Sequence, residues 1–271
     1  MKKFAYQAAV LASLAASTTV AMAEDSKSSI AGFSVAGSVA ATTDYRFRGV
    51  TQSSNNPAIQ GGFTINHESG AYLALWGSSV DFNIHGVSAE TDASLGYTNK
   101  ISFSPSYSAT YDVGVTHYGY VGAKTNAVNP YNGKTGLAFT ELYGKLIFPE
   151  ALLKGDSVTV GVNYSPDYWG RTDDFWYFNL GYSAPIADTG FTGIASVGYN
   201  KLKNKDSLSV VAGGPGTDDS YIDYKFGVQY TVLGVTAELA GVGTDISTSG
   251  MTDAGKKPYD LGAVFTLSKT F

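Results

Sequence analysis

Apolar side chains recur at every second position along most of this chain, a period that commits it to strands with one apolar and one polar face. In YDLGAVFTLSKTF, the residues Tyr259, Leu261, Ala263, Phe265, Leu267 and Phe271 share one face. Asp260, Gly262, Thr266, Ser268 and Thr270 share the other. Lys269 interrupts the apolar face, where a long aliphatic stem can carry its charge to a polar boundary. Beyond the N-terminal segment no long window holds an apolar period of 3.6, so helices are not expected to build the core.

Eleven further runs show the same alternation: Phe33–Phe47, Ile59–Ile65, Tyr72–Phe82, Val87–Tyr97, Ile101–Val113, 137–148, 156–165, 174–183, 191–200, 220–231 and 234–244. The third is read with Tyr72, Ala74, Trp76, Ser78, Val80 and Phe82 on its apolar face. Both phases of 137–148 hold apolar residues, and the chosen phase turns Glu141 and Lys145 inward. Short connections, such as 68–71 and Leu233-Gly234, alternate with long polar ones rich in Gly and Asn. The short NIHG connection between the third and fourth runs departs from that pattern. Tight turns at one rim and long loops at the other are the mark of a membrane barrel. A soluble sandwich also alternates its faces, but nothing obliges it to gather its long loops at one end.

The N-terminus supplies the context. Lys2 and Lys3 precede an alanine-rich apolar stretch, and Ala21-Met22-Ala23 offers a small-x-small cleavage site. The stretch falls short of the roughly 20 apolar residues of a spanning helix. Residues 1–23 are therefore expected to be a cleaved signal peptide and 24–271 a single exported domain. Of 18 basic residues these two lie in the leader, leaving 16 against 23 acidic ones, which speaks against nucleic acid as a partner. There are no cysteines, hence no disulfides and no thiolate metal ligands. The expected fold is all-β: a transmembrane antiparallel up-and-down β-barrel of about 12 strands, in the outer membrane of a Gram-negative bacterium.

The segment DYRFRGVTQSSNNPAIQGGF, followed by HESGAYLALWGSSVDF, resembles the TorF family of proteobacterial porins. The resemblance rests on the Asp-Tyr-Arg-Phe-Arg-Gly motif, the Pro57-Ala58-Ile59-Gln60-Gly61-Gly62 stretch and the His67-x-Ser-Gly-x-Tyr72 hairpin. It is strong over about residues 30–100; beyond them it rests on aromatic-rich strands and the terminal Phe. It implies an outer-membrane barrel with a channel role, and it names no solute.

In the barrel phase, Asp44, Arg46, Arg48, Glu90, Asp92, Asp112, Asp223, Lys225 and Glu238 are the candidate pore-lining residues. Glu68, Asp81, Glu141, Lys145 and Asp260 share their phase. An acidic excess in a wet lumen favours cations, so passive diffusion of small hydrophilic solutes with a cation preference is expected. The alternative is a structural or adhesive barrel, its lumen closed by Asp–Arg pairs. Tyr45, Phe47, Tyr72, Trp76, Phe82, Tyr97, Trp176, Tyr182 and Phe271 are expected at the lipid interfaces. The loop aromatics Tyr118, Tyr120, Tyr131, Tyr168 and Trp169 suit stacking on sugars or nucleosides. A hydrolase is the least favoured class, because His67, His85 and His117 come without a nucleophile motif. Glu90 and Asp92, neighbours on one face, suit a cation better than acid–base work. Thr217-Asp218-Asp219 is a weak calcium candidate. No cofactor, metal centre or catalytic residue is expected. The expected partners are outer-membrane lipid, lipopolysaccharide, the solutes and, through Phe271, the barrel-assembly machinery.

Overall fold

The computed structural model describes residues 31–104, 107–123, 128–212 and 218–271. The expected leader, 1–23, lies outside them. Twelve antiparallel strands close into a barrel: β1 (Phe33–Thr42), β4 (Ala58–His67), β5 (Ala71–Ser79), β6 (Ala89–Ser104), β7 (Tyr107–Val121), β8 (Phe139–Pro149), β9 (Ser157–Ser165), β10 (Phe175–Pro185), β11 (Phe191–Leu202), β12 (Ser220–Val232), β13 (Val235–Thr244) and β14 (Gly262–Thr270). Two short strands, β2 (Arg46–Phe47) and β3 (Val50–Thr51), form a separate hairpin. Helices α1 (Lys205–Ala212) and α2 (Asp253–Lys256) lie in loops.

Sequential strands pair throughout, and β1 pairs with β14 from Ser38↔Thr270 to Thr42↔Thr266, which removes both sheet edges. Backbone bonds between Gly37 and Phe271 extend the seam, and the Phe271 ring fills the space a side chain at position 37 would need. No described helix is long and apolar enough to cross a membrane; the chain crosses with strands.

The outer face carries Val39, Phe63, Leu73, Leu75, Leu95, Leu142, Leu180, Phe226, Leu239 and Phe265, all exposed. An apolar girdle around a closed sheet is stable only in hydrocarbon, since isolated soluble chains rarely expose apolar patches of more than a few hundred Å². Among the described residues, the connecting segments 43–57, 80–88, 122–123, 128–138, 166–174, 203–212, 218–219 and 245–261 gather at one rim, and 68–70, 150–156, 186–190 and 233–234 at the other. The third connection, expected to be NIHG alone, is the longer segment 80–88 and obeys the alternation.

Three expectations need correction. The first strand stops at Thr42, not Phe47, because the chain turns inward there; Tyr45 and Phe47 are buried in the interior and meet no lipid. The phase of the third run is inverted: Tyr72, Ala74 and Ser78 are buried inside, while Leu73 and Leu75 face out. Trp76 packs on Tyr45, and Phe82 on Tyr120 and Trp169. The residues 101–113 are not one strand; they belong to the end of β6 and the start of β7, facing each other through Ser102↔Ser108. The two strands keep the same phase, so alternation alone could not reveal the break between them.

Leu75 lies halfway along β5, paired with Phe63 and Ala93 on the lipid face. Leu75→Arg should cost about 2–4 kcal/mol if the site lies at the bilayer midplane. Urea unfolding from lipid vesicles would measure it; an unchanged midpoint would mean that Leu75 does not meet lipid.

Candidate functional site

Lumen chemistry starts at the turn after β1. Thr42 Oγ1 donates to the carbonyl of Asp44, and the chain folds into the barrel as the β2–β3 hairpin. Its two tip residues, Arg48 and Gly49, both have positive φ (50° and 80°), the geometry of a two-residue type I′ turn. Glycine at 49 is obligatory on space as well, since a Cβ there would lie 2.5 Å from the carbonyl oxygen of Gly243 on β13. A left-handed arginine costs of order 1–3 kcal/mol, so something in the lumen must hold Arg48.

That partner is Glu141 on β8, fully buried. Arg48 Nη1 and Nη2 donate to Glu141 Oε1 and Oε2 at 2.7 and 2.8 Å, a two-pronged charge-assisted contact. Asn163 Nδ2 and Tyr118 OH also donate to this carboxylate, at 3.0 and 3.3 Å. The guanidinium lies 4.3 Å from the Tyr177 ring centre and 4.7 Å from that of Phe175, distances at which ring faces attract a cation. Tyr168 dips in from the loop 166–174 and stacks on Phe175 at 3.8 Å. Burial pushes its phenol up to about 12 despite the opposing charge of Arg48, so it stays protonated.

Arg46 has a different task. Its Nε donates to Asp44 Oδ2 at 2.7 Å, and Nη1 donates to the carbonyls of Val242 and Asp260 at 3.0 and 2.7 Å. It thereby fastens the hairpin to β13 and to the loop before β14. Asp44 Oδ1 accepts from the Thr51 and Ser53 hydroxyls.

Around the hairpin the long-loop end is packed with apolar side chains. Phe47, Tyr118, Phe139, Tyr168, Leu208 of α1 and Tyr259 belong to one buried cluster inside the barrel. Tyr259 OH donates to the carbonyl of Ala212, and Ser207 Oγ to that of Thr172 at 2.9 Å, tying loops together. The aromatics considered for sugar or nucleoside stacking are consumed here: Tyr118, Tyr120 and Tyr168 are buried, Trp169 is partly buried against the cluster, and Tyr131 alone of the five is well exposed.

Below the hairpin lies a cavity of about 290 Å³ lined by Arg48, Asp92, Asp223, Lys225 and Glu238 among others. It runs from the tip toward the short-turn rim. Lys225 Nζ lies 2.6 Å from Glu238, which also accepts from Gln229 at 2.7 Å. Lys145 faces Asp112 at 4.0 Å, and Tyr72 OH donates to Asp112 at 2.8 Å. Asp223 accepts from Asn200 and Tyr177 at 2.7 and 3.3 Å. Glu90 accepts from Tyr120 OH at 3.1 Å, whereas both Asp92 oxygens are buried without a hydrogen bond.

The nine candidates from the sequence thus all turn into the barrel, together with Glu141 and Lys145. Glu68, Asp81 and Asp260 do not; they lie exposed at the rims. His67 sits against Phe33 with Nδ1 2.8 Å from Ser69 Oγ, His117 contacts Thr140 Oγ1 at 2.9 Å on the outer face, and His85 is exposed in the loop 80–88. Thr217 lies outside the described residues, and Asp219 is paired with Lys201 at 2.6 Å. Among the described residues no three acidic, His or Cys side chains converge as metal ligands. Sequence reasoning missed the inward aromatics Tyr177 and Phe175. Their neighbours Trp176 and Phe178 are equally apolar, so alternation gives no signal there.

A family model described as "Bacterial protein of unknown function (Gcw_chp)" matches residues 26–271. No curated protein sequence matches the chain. Among solved structures it is similar to a KdgM porin in complex with disordered oligogalacturonate, at TM-score 0.52 and 8% identity, over 88% of this chain and 98% of that one. It is also similar to a NanC porin in a rhombohedral crystal form, at TM-score 0.50 and 10% identity, over 87% and 98%. At such identities the likeness is one of fold.

Glu141→Gln leaves Arg48 in place with half of its contact neutralised, and breaking a buried pair in this way costs about 3–5 kcal/mol. Replacing both residues, Arg48→Met with Glu141→Gln, should recover most of that loss. Denaturation midpoints of the single and double variants test it, and equal losses in both would refute the coupling.

Proposed function

The chain belongs to Gcw_chp, a family of bacterial proteins of unknown function, and we propose that it is a passive outer-membrane channel for small hydrophilic solutes. The observation that carries this reading is the charged cavity beneath the β2–β3 hairpin, enclosed by a barrel whose outside is apolar. The fold shared with two porins supports it. So does the resemblance of DYRFRGVTQ and its downstream segments to the TorF porins. Export behind a signal peptide cleaved after Ala23 belongs to the same reading, as do contact with lipopolysaccharide and delivery to the assembly machinery through Phe271. No catalytic step is part of it.

Cation preference follows from the charge inventory. Inside the barrel the pairs Asp44–Arg46, Glu141–Arg48, Asp112–Lys145 and Glu238–Lys225 neutralise one another, and among the described residues Glu90, Asp92 and Asp223 have no salt bridge. A net negative wall in a narrow, partly desolvated passage repels anions. The KdgM structure holds oligogalacturonate, a polycarboxylate, and an acidic lumen is poorly suited to such a cargo.

A second reading has its own observation. The aromatic packing around Phe47, Tyr168 and Leu208 fills the long-loop end, which suits a barrel closed at that mouth. Single-channel recording in planar bilayers separates the two. We expect discrete cation-preferring steps from the native protein, and larger steps after Arg48→Ala, which unpins the hairpin tip. Silence from both proteins would favour the closed structural barrel, and an anion-favouring reversal potential would refute the charge argument.

A further inference from the structure

Asp92 is the least explained group in the barrel. It is more than nine-tenths buried, it borders the cavity, and neither carboxylate oxygen has a hydrogen bond. Glu90 and Glu141, both acidic, are among its electrostatic neighbours. Glu141 is matched by Arg48, whereas Glu90 and Asp92 form no salt bridge among the described residues. Isolated buried carboxylates are expensive, and a native structure compensates them with a proton or with a positive ion.

The geometry favours an ion. Glu90 and Asp92 occupy alternate positions of β6 and point to the same side, about 7 Å apart by strand rise. Carboxylates at that spacing can converge on one ion lying between them. The hydroxyls of Ser94 and Thr116, 2.8 Å apart and bonded to each other, lie next along the same wall and border the same cavity. Tyr120 OH donates to Glu90 Oε1, and Glu90 Oε2 has no hydrogen bond. All the donors are hard oxygens, with no His or Cys among them, and the cavity gives space for water to complete the shell. Two carboxylates balance one divalent charge. The irregular donor set fits calcium, which tolerates six to eight ligands, better than magnesium, which demands a regular octahedron.

We propose that Asp92 and Glu90 form a binding site for a divalent cation of the calcium class, in the wall of the cavity below the hairpin. The site uses the barrel fold but does not require conduction, so it stands equally in an open or a closed barrel. With only two carboxylates its affinity falls in the weak range of extracellular sites, a Kd of about 10⁻⁴–10⁻³ M.

Titration calorimetry of the detergent-solubilised barrel with calcium chloride tests it directly. One calcium per chain is expected, weakened at least about tenfold by either Asp92→Asn or Glu90→Gln. Asp81→Asn, at an exposed loop position, should bind like the native protein. Terbium offers a second readout that needs no variant: luminescence sensitised by the adjacent Tyr120 should appear on binding and be quenched by calcium. Calcium binding that is absent, or unchanged in folded Asp92→Asn, overturns the proposal. It is overturned too if the infrared spectrum in calcium buffer shows a protonated-carboxyl band that Asp92→Asn removes, because a proton then does the neutralising. Loss of conductance with calcium binding intact would refute the channel reading and leave this site standing.

Discussion

Backbone hydrogen bonding in a solvent that offers none is the constraint on which this molecule depends. Every N–H and C=O at membrane depth must find a partner within the protein, and a sheet meets that demand only by closing on itself. The β1–β14 seam makes the closure. Once it forms, side chains are sorted by parity: one face of each strand meets hydrocarbon and the other meets the lumen. The apolar girdle, the polar interior and the gathering of long loops at one rim are consequences of that closure.

The lumen then has a problem of its own, because a twelve-stranded barrel encloses more space than wall side chains of ordinary size fill. Here the chain reinvests its first long loop as filling. Arg46 fastens the hairpin to backbone carbonyls of the wall, and Arg48 reaches across to Glu141. Breaking one partner of such a contact is far costlier than never having made it, which makes the pair a device for holding one position rather than a large source of stability. The aromatic faces of Tyr177 and Phe175 surround the guanidinium and exclude water from it. Of the acids without a salt bridge among the described residues, Asp92 and Asp223 line the cavity.

Much of this was legible before any coordinates. Twelve alternating runs correspond to twelve strands, and the inward phase of Asp112, Glu141, Lys145, Asp223 and Glu238 follows from parity alone. The errors have physical causes. At β5, Tyr72 and Trp76 look apolar and parity points them outward, yet the lumen accepts rings when they have somewhere to pack: Tyr72 bonds Asp112 beneath Gly96, and Trp76 meets Tyr45. At 101–113 the phase carries over from β6 to its partner β7, which hides the break between them. At TTDYRFRG the alternation continues past the end of β1, but it belongs to a hairpin directed into the barrel, so Tyr45 and Phe47 pack against Trp76 and Tyr118.

Parity of apolar residues along the chain determined the barrel, its strand number and the side on which most charges lie, because burial against lipid imposes a period of two that composition cannot disguise. Only the tertiary structure decided which charges meet. Arg48 and Glu141 are 93 positions apart, and nothing local in either segment distinguishes a charge facing open water from one gripped across a lumen. That distinction comes from closure, which sets a loop tip, a strand on the opposite wall and two aromatic rings within a few ångströms of one another. It also leaves Asp92 buried beside the cavity with neither carboxylate oxygen hydrogen-bonded.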